Sequence, residues 1–255
     1  MGIGLFLFDV LSYAIAFVLW GTSLLAAVHV HGLLSGHLWA PLAWIAAGAG
    51  FILALIFQVG VLHRLLPRVR PGSYTLLKEP MFFYWTARMI LRRTLLPPFL
   101  DTFIFQSNVL RYLALRALGA RVSFSTSMSS DVVLLDPWLF EAGPGAVLGT
   151  GTMASGHFVD GDKLKLGKIV VEQDALVAAQ CILAPGVHIG ARARVLPRAV
   201  LGVDVTLGEG AVLGVNTGIE RGVRIGPGVR VGTMSYVHKN MEITHDVPPC
   251  STLGL

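Results

Sequence analysis

From Val171 to Tyr236 the chain repeats in sixes without a slip of phase. The first residues of the hexads are Val171, Val177, Leu183, Ile189, Val195, Leu201, Leu207, Leu213, Ile219, Ile225 and Val231, all branched aliphatics. Four places on stands a small or β-branched set: Ala175, Cys181, Val187, Ala193, Ala199, Val205, Ala211, Thr217, Val223, Val229 and Ser235. Glycine follows the aliphatic in six of the eleven hexads, as in Ile189-Gly190 and Ile225-Gly226. A fixed short period sets the architecture before any local propensity is weighed.

A strand alternates faces every two residues, so six residues hold one short strand and one corner. The aliphatic and the small residue four later then point inward, and the remaining positions point outward. Glycine beside the aliphatic suits a corner needing φ > 0, which other residues adopt at a cost. Three hexads make one triangular coil of 18 residues, and coils stack by parallel pairing, each covering the apolar row of the next. A helical domain merely rich in Gly and Val is excluded, because a period of six does not fit 3.6 residues per turn. The run resembles the hexapeptide-repeat, or isoleucine-patch, proteins, and that resemblance implies a left-handed parallel β-helix.

The first quarter of the chain has a different character. Only 14% of all residues are charged, and residues 1–63 contain no Lys or Arg and one acid, Asp9. Two uncharged apolar stretches, 10–30 and 39–62, each reach the roughly 20 residues that cross a hydrocarbon core. The link between them holds Gly32, Ser35 and Gly36, enough for a turn. The pair reads as a transmembrane hairpin, because a cleaved signal peptide would carry a basic region before its apolar run.

Basic residues start at Arg64 and crowd the next segment: ten bases against two acids between 64 and 121. The 134 residues beyond carry ten bases and twelve acids, so the overall +5 is a membrane-flanking charge and no nucleic-acid footprint. Positive charge favours the cytoplasmic side, which places both termini and the β-helix domain (122–255) in the cytoplasm, against a bacterial inner membrane. Residues 81–118 read as two helices lying in the membrane interface, broken at Pro97-Pro98, with Arg88, Arg92 and Arg93 on one side and contacting anionic lipid. Cys181 sits at an inward hexad position and Cys250 in the tail, so the cysteines build no disulfide framework and no metal cluster.

The hexad phase also shows where it fails. Residues 142–147 and 148–153 are in frame, then ASGHFVDGDKLKLGKIV interrupts the pattern before Val171. An insertion of this kind, 154–170, must loop out of a stacked coil, and loops on rigid scaffolds often carry function. His157 stands at its start. The chain here resembles the hexapeptide-repeat acyltransferases that modify sugars, amines and antibiotics. Their spacing of an asparagine, an aspartate five later and a histidine beyond falls on Asp131, Asp136 and His157, with an aspartate at the first position.

The resemblance implies His157 as general base, Asp131 as a second catalytic group and the Ala179 N–H as oxyanion donor, by the match of ALVAAQCILAPGV. It implies Leu176 and Ala178 beside the donor arm, and Arg192, Arg194 and Arg198 on donor phosphates. It also implies an acyl-CoA or phosphopantetheine carrier thioester as donor, no metal, and a homotrimer with sites between copies. Imidazole suits such chemistry because it titrates near neutrality.

Two other functions remain open on the residues. One is a non-catalytic trimeric membrane scaffold. The other is a zinc carbonic-anhydrase-like enzyme on the same fold, for which His157 and His188 lack a clear third partner. His29, His31, His37 and His63 flank the spans, and His238 and His245 lie in the closing segment. End to end, the layout also resembles the membrane-bound terminal region of nonribosomal peptide synthetases of the poly-lysine synthetase type. That likeness rests on the hairpin, YLALRALGARV, GHFVDGDKLKLG and APGVHIGARARVLPRAVLG, and implies membrane lipid and an acyl or peptidyl carrier protein as partners.

Overall fold

A computed structural model describes residues 2–254; Met1 and Leu255, the outer limits expected for the hairpin and the β-helix domain, lie outside the described residues. Two long helices come first, α1 (Gly2–Leu34) and α2 (Ala40–Leu65). They pack against each other through small and aliphatic residues such as Ala27, Ala43, Ala47, Leu55 and Val59. Gln58 ties them by accepting from the Thr22 hydroxyl at 2.8 Å and donating to Ser23 at 3.1 Å. Their outer sides leave Phe17, Leu25, Trp44, Ile45 and Phe57 exposed. Both are long and apolar enough to cross a membrane.

Three shorter helices follow: α3 (Pro80–Leu95), α4 (Pro98–Gln106) and α5 (Asn108–Ala117). The break at Pro97-Pro98 falls where proline removes the helix donors. Several of their arginines are not free for lipid. Arg88 and Arg111 are buried. Arg88 donates to the carbonyls of Leu66 (3.1 Å) and Pro67 (2.9 Å), just past the C-terminal end of α2. Arg111 donates to Met128 O at 2.5 Å, and Arg92 Nε to Leu134 O at 2.7 Å, both on the solenoid. The expectation of an interfacial basic face is corrected for these three: unpaired carbonyls recruit them as internal donors.

From Arg121 onward the chain winds into a parallel β-helix of two-residue strands on three faces, with seven, six and seven strands. The face that includes Ile169–Val171 and His188–Ile189 is called the first here. The second includes Leu176–Val177 and Arg194–Val195, and the third Met153–Ala154 and Ile182–Leu183. Partners lie 18 residues apart, as in Leu183↔Leu201 and Val195↔Leu213. Both expected inward rows are inward: Val171, Ala175, Val177, Cys181, Leu183, Val187, Ile189, Ala193 and Val195 are all 0% exposed. Each coil therefore hides its apolar row under the next.

The glycine expectation needs correction. The φ > 0 positions fall three places after the aliphatic, not one: Asp174, Gln180, Arg192, Arg198, Asp204 and Asn216 lie at φ 55–62°. The glycine directly after the aliphatic answers a different demand. A Cβ on Gly190 would stand 2.8 Å from the backbone N of Glu209, and one on Gly208 2.5 Å from that of Pro227. The next coil passes too close for any side chain there.

Candidate active site

The insertion at 154–170 is a β-hairpin. Strand His157–Asp160 pairs antiparallel with Lys163–Leu166, and a third strand, Gly72–Thr75, pairs with the latter's other edge. That third strand comes from the segment between α2 and α3, inside the basic stretch 64–121 but ahead of the helices expected at 81–118. Leu164 and Leu166 on the hairpin, with Leu139, form a second small core. Tyr74, Phe82 and Trp85 pack against it, so the hairpin rests on α3 rather than projecting freely.

This packing fixes His157. Its Nδ1 is 2.6 Å from Asp136 Oδ2, and the Asp136 side chain is wholly buried while that of His157 is 20% exposed. The indole Nε1 of Trp85 donates to Asp136 Oδ1 at 2.7 Å. The Trp85 ring meets the imidazole edge-on, centroids 4.9 Å apart. A carboxylate only accepts hydrogen bonds, so Nδ1 is the protonated nitrogen and Nε2 is left with its lone pair. Gly156 makes the approach possible, since a Cβ there would lie 3.0 Å from Asp136 Cβ and 2.9 Å from Leu139 Cβ.

Asp136 has its own structural origin. The inward row runs Val122, Met128, Leu134, then Ala142, a step of eight instead of six. The two extra residues are taken up in the three-residue turn Pro137–Leu139, at the corner between the third and first faces. The hairpin of the next coil leaves at the same corner. Two insertions thus stack, and carboxylate and imidazole meet between them.

Asp131, expected to act with His157, stands elsewhere. It lies at the corner between the second and third faces, exposed. Hydrogen bonds from the Ser129 side chain and the Gly151 backbone hold its carboxyl below the usual range. Ala179 occupies the same corner one coil beyond Gly151. Among the described residues no carbonyl accepts from its N–H, but the same holds at the third place of other corners, such as Val203 and Val215, so this alone does not single it out.

Leu176 pairs in register with Arg194 on the second face, and Ala178 follows, its N–H donated to Val195 O. Arg198 joins them at the Ala179 corner, its N–H on Ala179 O and its Nε on Gln180 Oε1 at 3.2 Å. Arg192 sits across the solenoid at the corner between the first and second faces, paired with Glu209. The structure thus gathers Asp131, Leu176, Ala178, Ala179, Arg194 and Arg198 on one side and places His157 at a different corner of the same chain.

Sequence reasoning had named Asp136 only as the spacing partner and had missed Trp85. The step of eight would have drawn attention to residues 136–139. Trp85 carries no such mark, since only the packing of α3 on the hairpin brings it there.

His188 pairs with Glu172 at 2.7 Å, and among the described residues no three His, Cys, Asp or Glu side chains gather into a ligand set.

No family model matches the chain, and no curated protein matches it. Solved structures do. One is a variant of perosamine N-acetyltransferase from Caulobacter crescentus with CoA and GDP-perosamine: 19% identical, TM-score 0.32, over 60% of this chain and 61% of that one. Another is a variant N-acyltransferase from Bacillus cereus with dTDP and coenzyme A: 18% identical, TM-score 0.42, over 52% of this chain and 79% of that one. A third is an acetyltransferase domain from Neisseria gonorrhoeae with acetyl coenzyme A: 20% identical, TM-score 0.26, over 56% and 61%. The chain thus spans about three fifths of the first and third. At these identities and TM-scores no residue's role is carried across from them.

Proposed function

We propose that this chain is a membrane-anchored acyltransferase, moving an acetyl-class acyl group from a CoA or carrier-protein thioester to a hydroxyl or amine. The observation that supports this best is the buried Asp136 between Trp85 and His157, which leaves one imidazole nitrogen free at the surface. His157 Nε2 takes the proton from the acceptor O–H or N–H as that atom bonds to the thioester carbonyl carbon. When the tetrahedral adduct collapses, the C–S bond breaks and the departing thiolate receives the proton from Nε2. Positioned acid–base catalysis of this kind contributes about 10²–10⁴-fold.

The separation of corners bears on assembly. His157 and the Ala179 side of the solenoid face different directions in one chain, so a site using both takes them from neighbouring copies. A homotrimer of left-handed β-helices, the arrangement implied by the family resemblance, supplies that pairing. Leu176, Ala178, Arg194 and Arg198 of one copy would then hold the donor against His157 of the next, with the Ala179 N–H on the oxyanion and Asp131 alongside.

The apolar hairpin favours a membrane-borne acceptor. Its exposed rows of Phe, Leu and Trp exceed what a soluble monomer leaves uncovered. The same helices reach the site: Trp20 Nε1 on α1 donates to Thr94 O on α3 at 3.0 Å, and α3 carries Trp85. The β-helix then lies on the cytoplasmic side. The resemblance to synthetase terminal regions makes a carrier-protein arm the natural alternative to free CoA.

Detergent-solubilised protein incubated with labelled acetyl-CoA and a membrane extract tests this reading. Label in an organic-extractable product, with stoichiometric thiol release, is expected. A non-catalytic scaffold would yield neither from acetyl-CoA nor from an acyl-carrier thioester.

A further inference from the structure

On the far side of the Pro137–Leu139 turn lies a pocket of about 470 Å³ that the proposed reaction does not use. It forms where α2 ends and the chain turns toward the solenoid. Arg64, Arg68, Arg88, Arg121 and Lys168 line it, with Glu141 as the single acid. Glu141 is taken up by Arg121 at 3.5 Å and Lys168 at 2.7 Å. Among the described residues no carboxylate lies within ion-pair distance of Arg64, Arg68 or Arg88.

Two donors here lack acceptors. Arg88, only 4% exposed, spends its terminal nitrogens on His63, Leu66 and Pro67 but leaves Nε unpaired. Trp138 Nε1 is likewise buried and unpaired, and both residues line the pocket. Burial also pushes the Arg88 guanidinium down to about 10, the direction expected of a cation without a counter-charge. Buried donors are nearly always satisfied, and an orphaned pair beside Arg64 and Arg68, two arginines without a carboxylate, points to a missing anion. Gly119, at φ 84°, keeps room for the His63 ring on the pocket wall, because a Cβ there would collide with it.

We propose that this pocket binds a phosphate group, as an anionic phospholipid headgroup or as a soluble phosphate ester. Its place at the end of α2, next to exposed Leu62 and Leu65, puts it level with lipid phosphates if that helix spans a bilayer. The inference stands independently of acyl transfer at His157.

The test uses the full chain in two settings. Binding of inorganic pyrophosphate is measured in neutral detergent, and retention of phosphatidylglycerol is measured by native mass spectrometry from nanodiscs of mixed phosphatidylglycerol and phosphatidylcholine. Arg64 and Arg68 are exposed, so a double Arg64→Gln, Arg68→Gln variant removes charge without touching the core. It is expected to weaken binding about tenfold or more. Trp138→Phe, which keeps the ring and loses only the N–H, is expected to weaken it a few-fold. Pyrophosphate binding lost in the double variant identifies a soluble ester as ligand. Selective phosphatidylglycerol retention lost in the variant identifies a headgroup. Binding of neither probe, or equal binding by wild type and double variant, overturns the proposal.

Discussion

The corners of the solenoid come in two kinds, and they are held by different physics. From Val171 to Val237 every corner is built from the sequence of its own coil. An inward aliphatic, a residue at positive φ and an inward small or β-branched residue recur every six places, and in six of the eleven hexads a glycine after the aliphatic lets the next coil pass close. Around Asp136 and His157 the corner is built from outside: the hairpin, the strand Gly72–Thr75, and Trp85 of α3 hold it. A repeat can repeat only backbone fit and apolar cover. A polar site with one free imidazole nitrogen needs partners that no repeat provides, so it appears where the phase breaks.

That contrast can be broken or sharpened by substitution. Leu201→Ala, in a regular coil, should destabilise the fold by about 2–5 kcal/mol through the cavity it leaves, read as a fall in melting temperature. Asp136→Asn should leave stability comparatively untouched but reduce acyl transfer about 10²-fold, because the amide need not hold His157 in the Nδ1–H form. Equal losses of stability in the two variants would erase the distinction between corners. Gly208→Ala should cost about 1–3 kcal/mol, since the added carbon meets the backbone of the next coil.

Trp85→Phe, which keeps an aromatic ring against His157 and removes the donor to Asp136, should lower transfer about tenfold with little change in melting. The smallest effect is expected from Gly210→Asn. Gly210 has φ 66° and open space around it, and asparagine tolerates that conformation. Calorimetry should place it within about 1 kcal/mol of wild type. A larger loss at Gly210 than at Gly208 would restore conformational freedom as the reason for the hexad glycine.

The regular coils were legible from the sequence because their determinants are local. Val171 through Val195 alternate as expected, and the two apolar stretches became α1 and α2, with ends reaching Leu34 and Leu65. His157 was legible from the break in phase, and Asp136 would have been from the step between Leu134 and Ala142. Trp85 was not, because its role depends on a contact 51 residues along the chain. Arg88, Arg92 and Arg111 misled for a related reason. A basic side chain in an amphipathic helix reads as solvated until the carbonyl that recruits it is in place. Asp131 matched the family spacing, yet the coil carries it to a different corner from His157.

The most direct measurement compares label transfer from acetyl-CoA, or from the carrier thioester if that is the donor, by wild type and His157→Ala. Both proteins are to be shown by native mass spectrometry and thermal melting to share assembly and stability. The broken corner as the seat of proton transfer predicts a loss of about 10²–10⁴-fold in the variant. Transfer within about twofold of wild type, in an equally folded protein, would contradict it.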